Sequence, residues 1–198
     1  MDFSLAKQKL DNNLLSNVIL LHGDEKFYIE EYLSLIKKHY NAQSFDECEL
    51  YEFEKIYNSS ETIPMFSDKR LILIDDVDLS KTGITKNKES INKLLPYLKE
   101  IPEYSLIIIT SYGSVFKSKF LKEITTYGED IEFNKLNRNQ LKGYVINYLK
   151  GKKINNSIVN IFIEYSLYLI KNSDKTLIDV NNELDKIKNL DKNEITDH

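Results

Sequence analysis

Residues 18–28 read Val-Ile-Leu-Leu-His-Gly-Asp-Glu-Lys-Phe-Tyr, an unbroken apolar run followed by a glycine, two acids and the start of a helical pattern. Continuous apolar runs of this kind are typical of parallel strands that are buried on both faces. Apolar residues then recur at helical spacing in residues 27–39, with Tyr28, Tyr32 and Ile36 on one face. A strand, a glycine turn and an amphipathic helix together predict the opening unit of an α/β sheet.

Further strands and helices alternate after this unit. The first strand candidate, residues 48–53, alternates apolar residues with Glu49 and Glu52, which predicts an edge strand exposed on one side. Because strands that alternate with helices form crossover units, we expect an α/β fold with a five-stranded, mostly parallel sheet in a three-layer sandwich. The other predicted strands are residues 71–74, 106–110 and 130–133, and the other predicted helices are residues 90–100 and 117–127.

The pattern changes after Lys135, where no β-rich run returns and helical periodicity takes over. We therefore predict a first domain at residues 1–137 and a small all-helical domain at residues 138–198. Asn137, and either Asn155 or Asn156, are predicted to cap helices, because their side-chain oxygens can accept hydrogen bonds from free helix amides. The three helices of this domain are predicted at residues 140–149, 157–170 and 177–190.

The composition is that of a folded protein and excludes several classes. The 198 residues are 41% hydrophobic and 29% charged, with one cysteine, Cys48, so neither an internal disulfide nor a CxxC metal site can form. No run approaches 18 apolar residues and no signal peptide is present, so we expect a cytoplasmic protein with no membrane contact. The net charge of −4 argues against nucleic acid as the principal partner. The three histidines lack metal-binding spacing, and we expect no cofactor and no metal.

The turn after the first predicted strand resembles a phosphate-binding loop only in part. Gly23 is in the expected place, but Asp24 and Glu25 follow where an anion would bind, and no second glycine or Lys-Ser/Thr pair appears. The two acids suit the positive end of the following helix instead. The sequence therefore predicts no nucleotide site here.

Asp75, Asp76 and Asp78 follow the predicted strand at residues 71–74, the position at which many α/β enzymes hold Mg²⁺. Two interpretations stay open. The acids are solvated or cap the next turn, or the chain is a Mg-dependent nucleotide-binding or phosphotransfer protein that uses Asp75 and Asp76. Because no phosphate loop and no arginine finger accompany them, we expect no intrinsic catalysis.

Lys117, Lys119 and Lys122 offer a second alternative, because clustered lysines on one predicted helix can contact DNA phosphates. A solvated helix face is the more common outcome of such a pattern. We therefore expect DNA to be contacted only indirectly or weakly.

The segment at residues 59–70 places Ile63, Met65 and Phe66 in a short connection between a helix and a buried strand. Pro64 prevents the preceding helix from continuing. The residues alone leave two alternatives: these side chains fold back under the sheet, or they are exposed and anchor a partner protein.

In their order and spacing, residues 18–31, 62–74 and 182–186 resemble the delta subunit of bacterial DNA polymerase III, a clamp-loader family. The resemblance implies an AAA+-like (RecA-like) first domain that has lost its phosphate loop. It also implies that Met65 and Phe66, with Ile63 beside them, are exposed and bind a pocket on the sliding clamp. The family commonly has a Leu-Phe or Phe-Phe pair, so Met65 is a departure, although methionine suits adaptable surfaces.

The resemblance implies a function as well. A delta subunit binds the sliding clamp (beta subunit) and promotes opening of the ring for loading onto DNA during replication, while other subunits of the DNA polymerase III holoenzyme bind ATP. The delta subunit itself is expected to bind no ATP and to catalyse no reaction. The family's C-terminal collar domain, which joins the other clamp-loader subunits, is expected to be absent from these 198 residues.

Overall fold

The computed structural model describes residues 3–113, 115–171 and 173–189. These residues form two compact units, one that ends at Phe133 and one that begins at Asn134.

The first unit is built on a five-stranded sheet with the strand order β2-β3-β4-β1-β5. Every neighbouring pair is parallel, so the sheet is entirely parallel where the sequence predicted a mostly parallel one. The strands are β1 (Val18–Gly23), β2 (Asp46–Cys48), β3 (Arg70–Ile74), β4 (Ser105–Tyr112) and β5 (Glu129–Glu132).

Helices cover both faces of this sheet and give the predicted three layers. Alternate side chains of a strand point to opposite faces, so Ile19 and Leu21 pack with α1 and α2, while Val18 and Leu20 pack with α3, α5 and α6. Burial of each such side chain stabilises the fold by about 1.5–3 kcal/mol. The helices of this unit are α1 (Phe3–Asp11), α2 (Lys26–His39), α3 (Phe53–Glu61), α4 (Lys81–Lys86), α5 (Lys88–Tyr97) and α6 (Lys119–Tyr127).

The second unit is helical, as the sequence predicts. Asn137 caps its first helix, since its side chain accepts a hydrogen bond from the Gln140 amide at 3.0 Å and the Gln140 side chain accepts one from the Asn137 amide at 2.9 Å. Asn155 caps the second helix by accepting from the Ile158 amide at 2.9 Å, which decides between the two candidates. The helices are α7 (Arg138–Tyr148), α8 (Asn156–Tyr165) and α9 (Leu177–Lys188).

The predicted edge strand at residues 48–53 is wrong. The edge strand β2 ends at Cys48, and the next residues form a turn in which the Glu52 carboxylate accepts a hydrogen bond from the Glu49 amide at 2.8 Å. Leu50 is buried and Tyr51 is exposed in this turn, so the apolar alternation came from a turn and the start of α3.

Several helix boundaries also differ from the predictions, and the helix predicted at residues 90–100 is α5 (Lys88–Tyr97). The helix predicted to reach residue 170 ends at Tyr165, because Leu167 has a φ of 56°, which breaks a right-handed helix. The helix predicted from residue 117 begins at Lys119, since Ser118 caps it. The last predicted helix ends at Lys188, and its predicted final residue, Leu190, lies outside the described residues. Helices α1 and α4 were not predicted, and the helix expected before Pro64, α3, was predicted without bounds.

Within the described ranges, no helix is both long enough and apolar enough to cross a membrane.

The end of β1 gives a test of the fold. Gly23 has a φ of 127°, and a Cβ atom there would lie 2.3 Å from the Phe133 carbonyl oxygen. We expect Gly23→Ala to lower the free energy of unfolding by at least the roughly 1–3 kcal/mol of backbone strain. Gly143 lies inside α7 with nothing within 4 Å of its added Cβ, so Gly143→Ala should stabilise by about 0.5–1 kcal/mol. Urea unfolding of both variants checks this, and a Gly23→Ala protein as stable as the wild type would contradict the described turn.

Candidate functional site

The connection between α3 and β3 exposes three large apolar side chains. Ile63 is 69% exposed, Met65 is 85% exposed and Phe66 is 88% exposed. These side chains do not fold back under the sheet. Exposed apolar residues that are adjacent in sequence and surrounded by polar residues are typical of protein contact sites.

Hydrogen bonds hold both ends of this connection, residues 62–69, which we call the apolar loop. At its start, the Thr62 hydroxyl donates to the Asn58 carbonyl oxygen at 2.7 Å and ends α3. At its end, the Asp68 amide donates to the Tyr40 carbonyl oxygen at 2.9 Å, and the Asn41 side-chain amide donates to the Asp68 carboxylate at 2.7 Å. The loop is therefore attached to α3 and to the end of α2.

Lys69, the last residue of the apolar loop, and Arg70, which follows it, are also bound to the first unit. The Lys69 ammonium donates to the Asn17 side-chain oxygen at 2.5 Å and lies 5.7 Å from the centre of the Tyr40 ring. Burial lowers the pKa of Lys69. Arg70 Nε lies 2.5 Å from Asp46 Oδ2, an ion pair whose angle does not make a good hydrogen bond. The surface presented by the loop is therefore mainly apolar.

An open cavity of about 310 Å³ adjoins the exposed side chains. Ile63, Met65 and Phe66 contribute to its lining, together with residues 41–44 and Asp46. The loop thus has protruding side chains with a depression beside them. A protein partner of complementary shape can bind such a surface.

The turn after β1 is filled by the chain's own groups. Glu25 is fully buried, and its carboxylate accepts a hydrogen bond from the Phe27 amide at 3.2 Å, at the start of α2. The Glu25 amide donates to the Phe133 carbonyl oxygen at 2.9 Å. In a phosphate loop, amides in these positions bind the phosphate. Here a carboxylate and a carbonyl group accept their hydrogen bonds.

Neighbouring residues of the chain bind the side chains of Asp75 and Asp78 and the backbone amide of Asp76. The Thr110 hydroxyl donates a short hydrogen bond to Asp75 Oδ1, and the Tyr112 hydroxyl lies 3.3 Å from the same oxygen. Burial, and then the charge of Asp75, raises the pKa of the Tyr112 phenol above its usual range. The Asp76 amide donates to Thr110 Oγ1 at 2.8 Å. The Ser80 hydroxyl and amide lower the pKa of Asp78.

This arrangement favours a structural role for the acids. Across the part of the chain that the structure describes, no three His, Cys, Asp or Glu side chains come together as a metal site would require. Asp75 and Asp76 thus gain no third ligand of these types from the residues described.

The three lysines of the DNA-binding alternative are all exposed, but they do not share one helix. Lys117 precedes the cap residue Ser118, whereas Lys119 and Lys122 lie on α6.

The family model for DNA polymerase III, delta subunit, matches residues 19–129, which is more than half of the chain. The chain belongs to the DNA polymerase III delta subunit family. The matched range contains the whole apolar loop.

Known proteins show the same relationship. A probable DNA polymerase III subunit delta from Aquifex aeolicus is 26% identical over 159 residues, which cover 77% of this chain and 45% of that protein. The chain therefore spans about half the length of this curated relative. Among solved structures, the DNA clamp loader delta protein of Bacillus subtilis superposes with a TM-score of 0.64 at 18% identity, over 98% of this chain and 60% of that one.

A second solved structure, a DNA polymerase III gamma subunit-related protein from Thermotoga maritima, superposes with a TM-score of 0.55 at 16% identity, over 94% of this chain and 58% of that one. The two structures share the fold of this chain. The resemblance to the delta subunit and the predicted AAA+-like α/β fold with a helical second part are both confirmed.

Sequence reasoning missed the residues that hold the apolar loop. Asn41 and Asp68 are 27 residues apart, and no local pattern connects them. One signal was available: Asn41 follows α2 with a φ of 53°, a conformation that asparagine adopts more readily than most residues at helix ends.

The attachment of the apolar loop can be tested by hydrogen exchange. Asp68→Ala removes the carboxylate that accepts from Asn41, so we expect the amides of residues 67 and 68 to exchange several-fold faster, as expected for a loop with less local stability. The matched control is Asp24→Ala, which removes another exposed carboxylate and should leave these amides unchanged. Equal exchange in all three proteins would show that the Asn41 contact does not hold the loop.

Proposed function

We propose that this chain is the clamp-contacting part of a clamp-loader delta subunit, and that Ile63, Met65 and Phe66 bind an apolar pocket on the sliding clamp. The observation that supports the proposal most strongly is the exposure of these three side chains on a loop held at both ends, in a chain of the delta family. The solved Bacillus subtilis relative is itself described as a clamp loader protein.

The exposed area is sufficient for an anchor. Full burial of a side chain such as Met65 or Phe66 contributes about 1.5–3 kcal/mol each. Phenylalanine supplies a large rigid surface, and methionine adapts to an irregular pocket. Because the loop is already held by Thr62 and Asp68, less conformational entropy is lost on binding than for a mobile peptide.

In the proposed mechanism, the chain binds the clamp surface more tightly in the open ring than in the closed ring. A ligand shifts an equilibrium between two states only by the difference between its affinities for them. Binding of the apolar loop therefore favours the open ring without any reaction on this chain. The chain catalyses nothing, and it acts within the DNA polymerase III holoenzyme in the cytoplasm.

Other subunits supply the rest of the proposed loading cycle. The nucleotide-binding step belongs to them, because in this chain Glu25 and Phe133 occupy the amides of the turn after β1. Contacts with these subunits are proposed to run through a C-terminal collar domain. DNA is proposed to be contacted indirectly or weakly.

Substitution of the two anchor residues tests the clamp contact. We expect Met65→Ala/Phe66→Ala to weaken binding to the sliding clamp of the source bacterium by at least about 100-fold, because two side chains worth roughly 1.5–3 kcal/mol each are truncated. Surface plasmon resonance gives the affinities, and thermal unfolding checks that the variant is folded. Ile63→Ala should weaken binding less, since Ile63 is the least exposed of the three.

Tyr51→Ala is the matched control. Tyr51 is 74% exposed and follows β2, so it lies at the carboxyl edge of the sheet, whereas the apolar loop precedes β3. The Tyr51→Ala variant should bind the clamp with the same affinity as the wild type. Unchanged binding by the folded double variant would show that the clamp contact lies elsewhere on the chain. No binding by the wild type would reject the proposal.

The absence of nucleotide binding has its own test. With about 1 mM ATP and Mg²⁺, the midpoint of thermal unfolding should shift by less than about 1 °C, because a ligand stabilises only a protein that binds it. A shift of several degrees that disappears in Asp75→Asn would support the magnesium-dependent alternative instead.

A further inference from the structure

A second surface of the first unit lies apart from the apolar loop. It is a groove of about 340 Å³ between α4 and α5 on one side and the start of α6 on the other. Its floor is apolar: Ile91, Leu95 and Phe120 are buried in the protein core and Ile84 is partly buried. A volume of this size is near the lower end for ligand sites and takes one or two side chains.

Lysines surround this groove. Lys88 and Lys119 are exposed and line it, and further exposed lysines lie on the same elements or directly before them. Among the described residues, none of them is within ion-pair distance of a carboxylate, although Lys86 helps to lower the pKa of Asp78. The lysines of this group are Lys81, Lys86, Lys88, Lys117, Lys119 and Lys122.

The acids on the same elements do not neutralise these lysines. The Glu89 carboxylate lies 3.1 Å from the ammonium of Lys93, and the Glu123 carboxylate lies 3.1 Å from that of Lys99. The Asp78 carboxylate accepts from the Ser80 amide at 3.0 Å. An apolar floor with a positive rim therefore remains open to a partner of complementary charge.

We propose that this groove binds an acidic segment of a partner protein. One apolar side chain of the segment rests on Ile91, Leu95 and Phe120, and aspartate or glutamate residues on either side of it pair with Lys88 and Lys119. The acidic residues supply charge complementarity and orientation, while the apolar side chain supplies most of the buried area.

The lining favours a peptide over single-stranded nucleic acid. Bases bind by stacking on exposed aromatic rings, and the only ring that lines the described groove, Phe120, is 1% exposed. Aliphatic side chains form the rest of the floor. The chain also has a net charge of −4, so the positive charge is local to this rim.

The groove and the apolar loop can be occupied at the same time. Helix α4 and the start of α6 follow the carboxyl ends of β3 and β4, whereas the apolar loop precedes the amino end of β3. The two surfaces share no lining residue. The inference is therefore independent of clamp binding.

Fluorescence anisotropy with the whole 198-residue chain tests the groove. The probe is a fluorescein-labelled peptide, Asp-Glu-Asp-Ile-Leu-Glu-Asp, for which we expect a Kd of about 10–100 μM at low salt. Lys88→Glu/Lys119→Glu should weaken binding at least tenfold. Asn92→Trp, which places a large side chain from an exposed lining position into the groove, should also weaken it at least tenfold without removing a charge.

The matched charge control is Lys7→Glu/Lys38→Glu. Both lysines are exposed, lie on α1 and α2 on the other face of the sheet, and have no ion-pair partner among the described residues. This variant has the same net charge as the groove variant and should bind the peptide within twofold of the wild type.

Two outcomes would overturn the inference. A peptide with Ile-Leu replaced by Ser-Ser that binds as well as the probe would show that the apolar floor is not used. A 20-nucleotide oligothymidylate that binds more tightly than the peptide, loses binding in Lys88→Glu/Lys119→Glu and is unaffected by Asn92→Trp would identify a phosphate-binding surface instead.

Discussion

The burial of both faces of β1, β3 and β4 is the constraint on which the rest of the structure depends. Each of these strands contains a run of four Val, Ile or Leu residues, and each adds side chains to two separate cores. A sheet of this kind is stable only when helices cover both faces, and helices that do so require crossover connections between parallel strands. Each crossover leaves its connecting segments at the edges of the sheet, where polar groups and exposed side chains are tolerated. The apolar loop lies on such a segment, and the lysine-rimmed groove lies on the covering helices α4, α5 and α6.

The same constraint explains why the turn after β1 resembles a nucleotide site without its chemistry. In this topology the first strand ends at a helix whose free amides favour an anion. Here the side-chain oxygen of the buried Glu25 takes the place of an anion by accepting from the Phe27 amide, and the Phe133 carbonyl oxygen binds the Glu25 amide. At the end of β3, the hydroxyl groups of Thr110 and Tyr112, from the neighbouring strand β4, bind the side chain of Asp75. Residues of the chain itself make the hydrogen bonds at these two positions. These bonds add to the stability of the sheet that supports the connecting segments.

The apolar runs of the central strands result from their burial between two layers of helices. The sequence was therefore sufficient to predict these strands. It failed at β2, which buries little: there a turn stabilised by Glu49 and Glu52 produced the alternation expected of a strand. Helix α4 was not predicted because it is short and ends at its C-cap residue, Asn87. The exposure of Met65 and Phe66 could not be decided from composition, since apolar residues in a connection can turn inward or outward. The choice depends on contacts of Asp68 with Tyr40 and Asn41, which are remote in sequence.

The attachment of the apolar loop has a consequence for the proposed opening of the clamp. Binding can strain a partner protein only if the binding surface is stiffer than the part of the partner that must open. A more flexible binding surface would deform instead, and the partner would keep its conformation. Thr62 and Asp68 attach the loop to α3 and to the end of α2, and Lys69 attaches its C-terminal end to Asn17, the residue before β1. Met65 and Phe66 lie between these attached ends. In the proposed contact, a loop with attached ends would lose less conformational entropy on binding the clamp than a mobile peptide with the same two side chains.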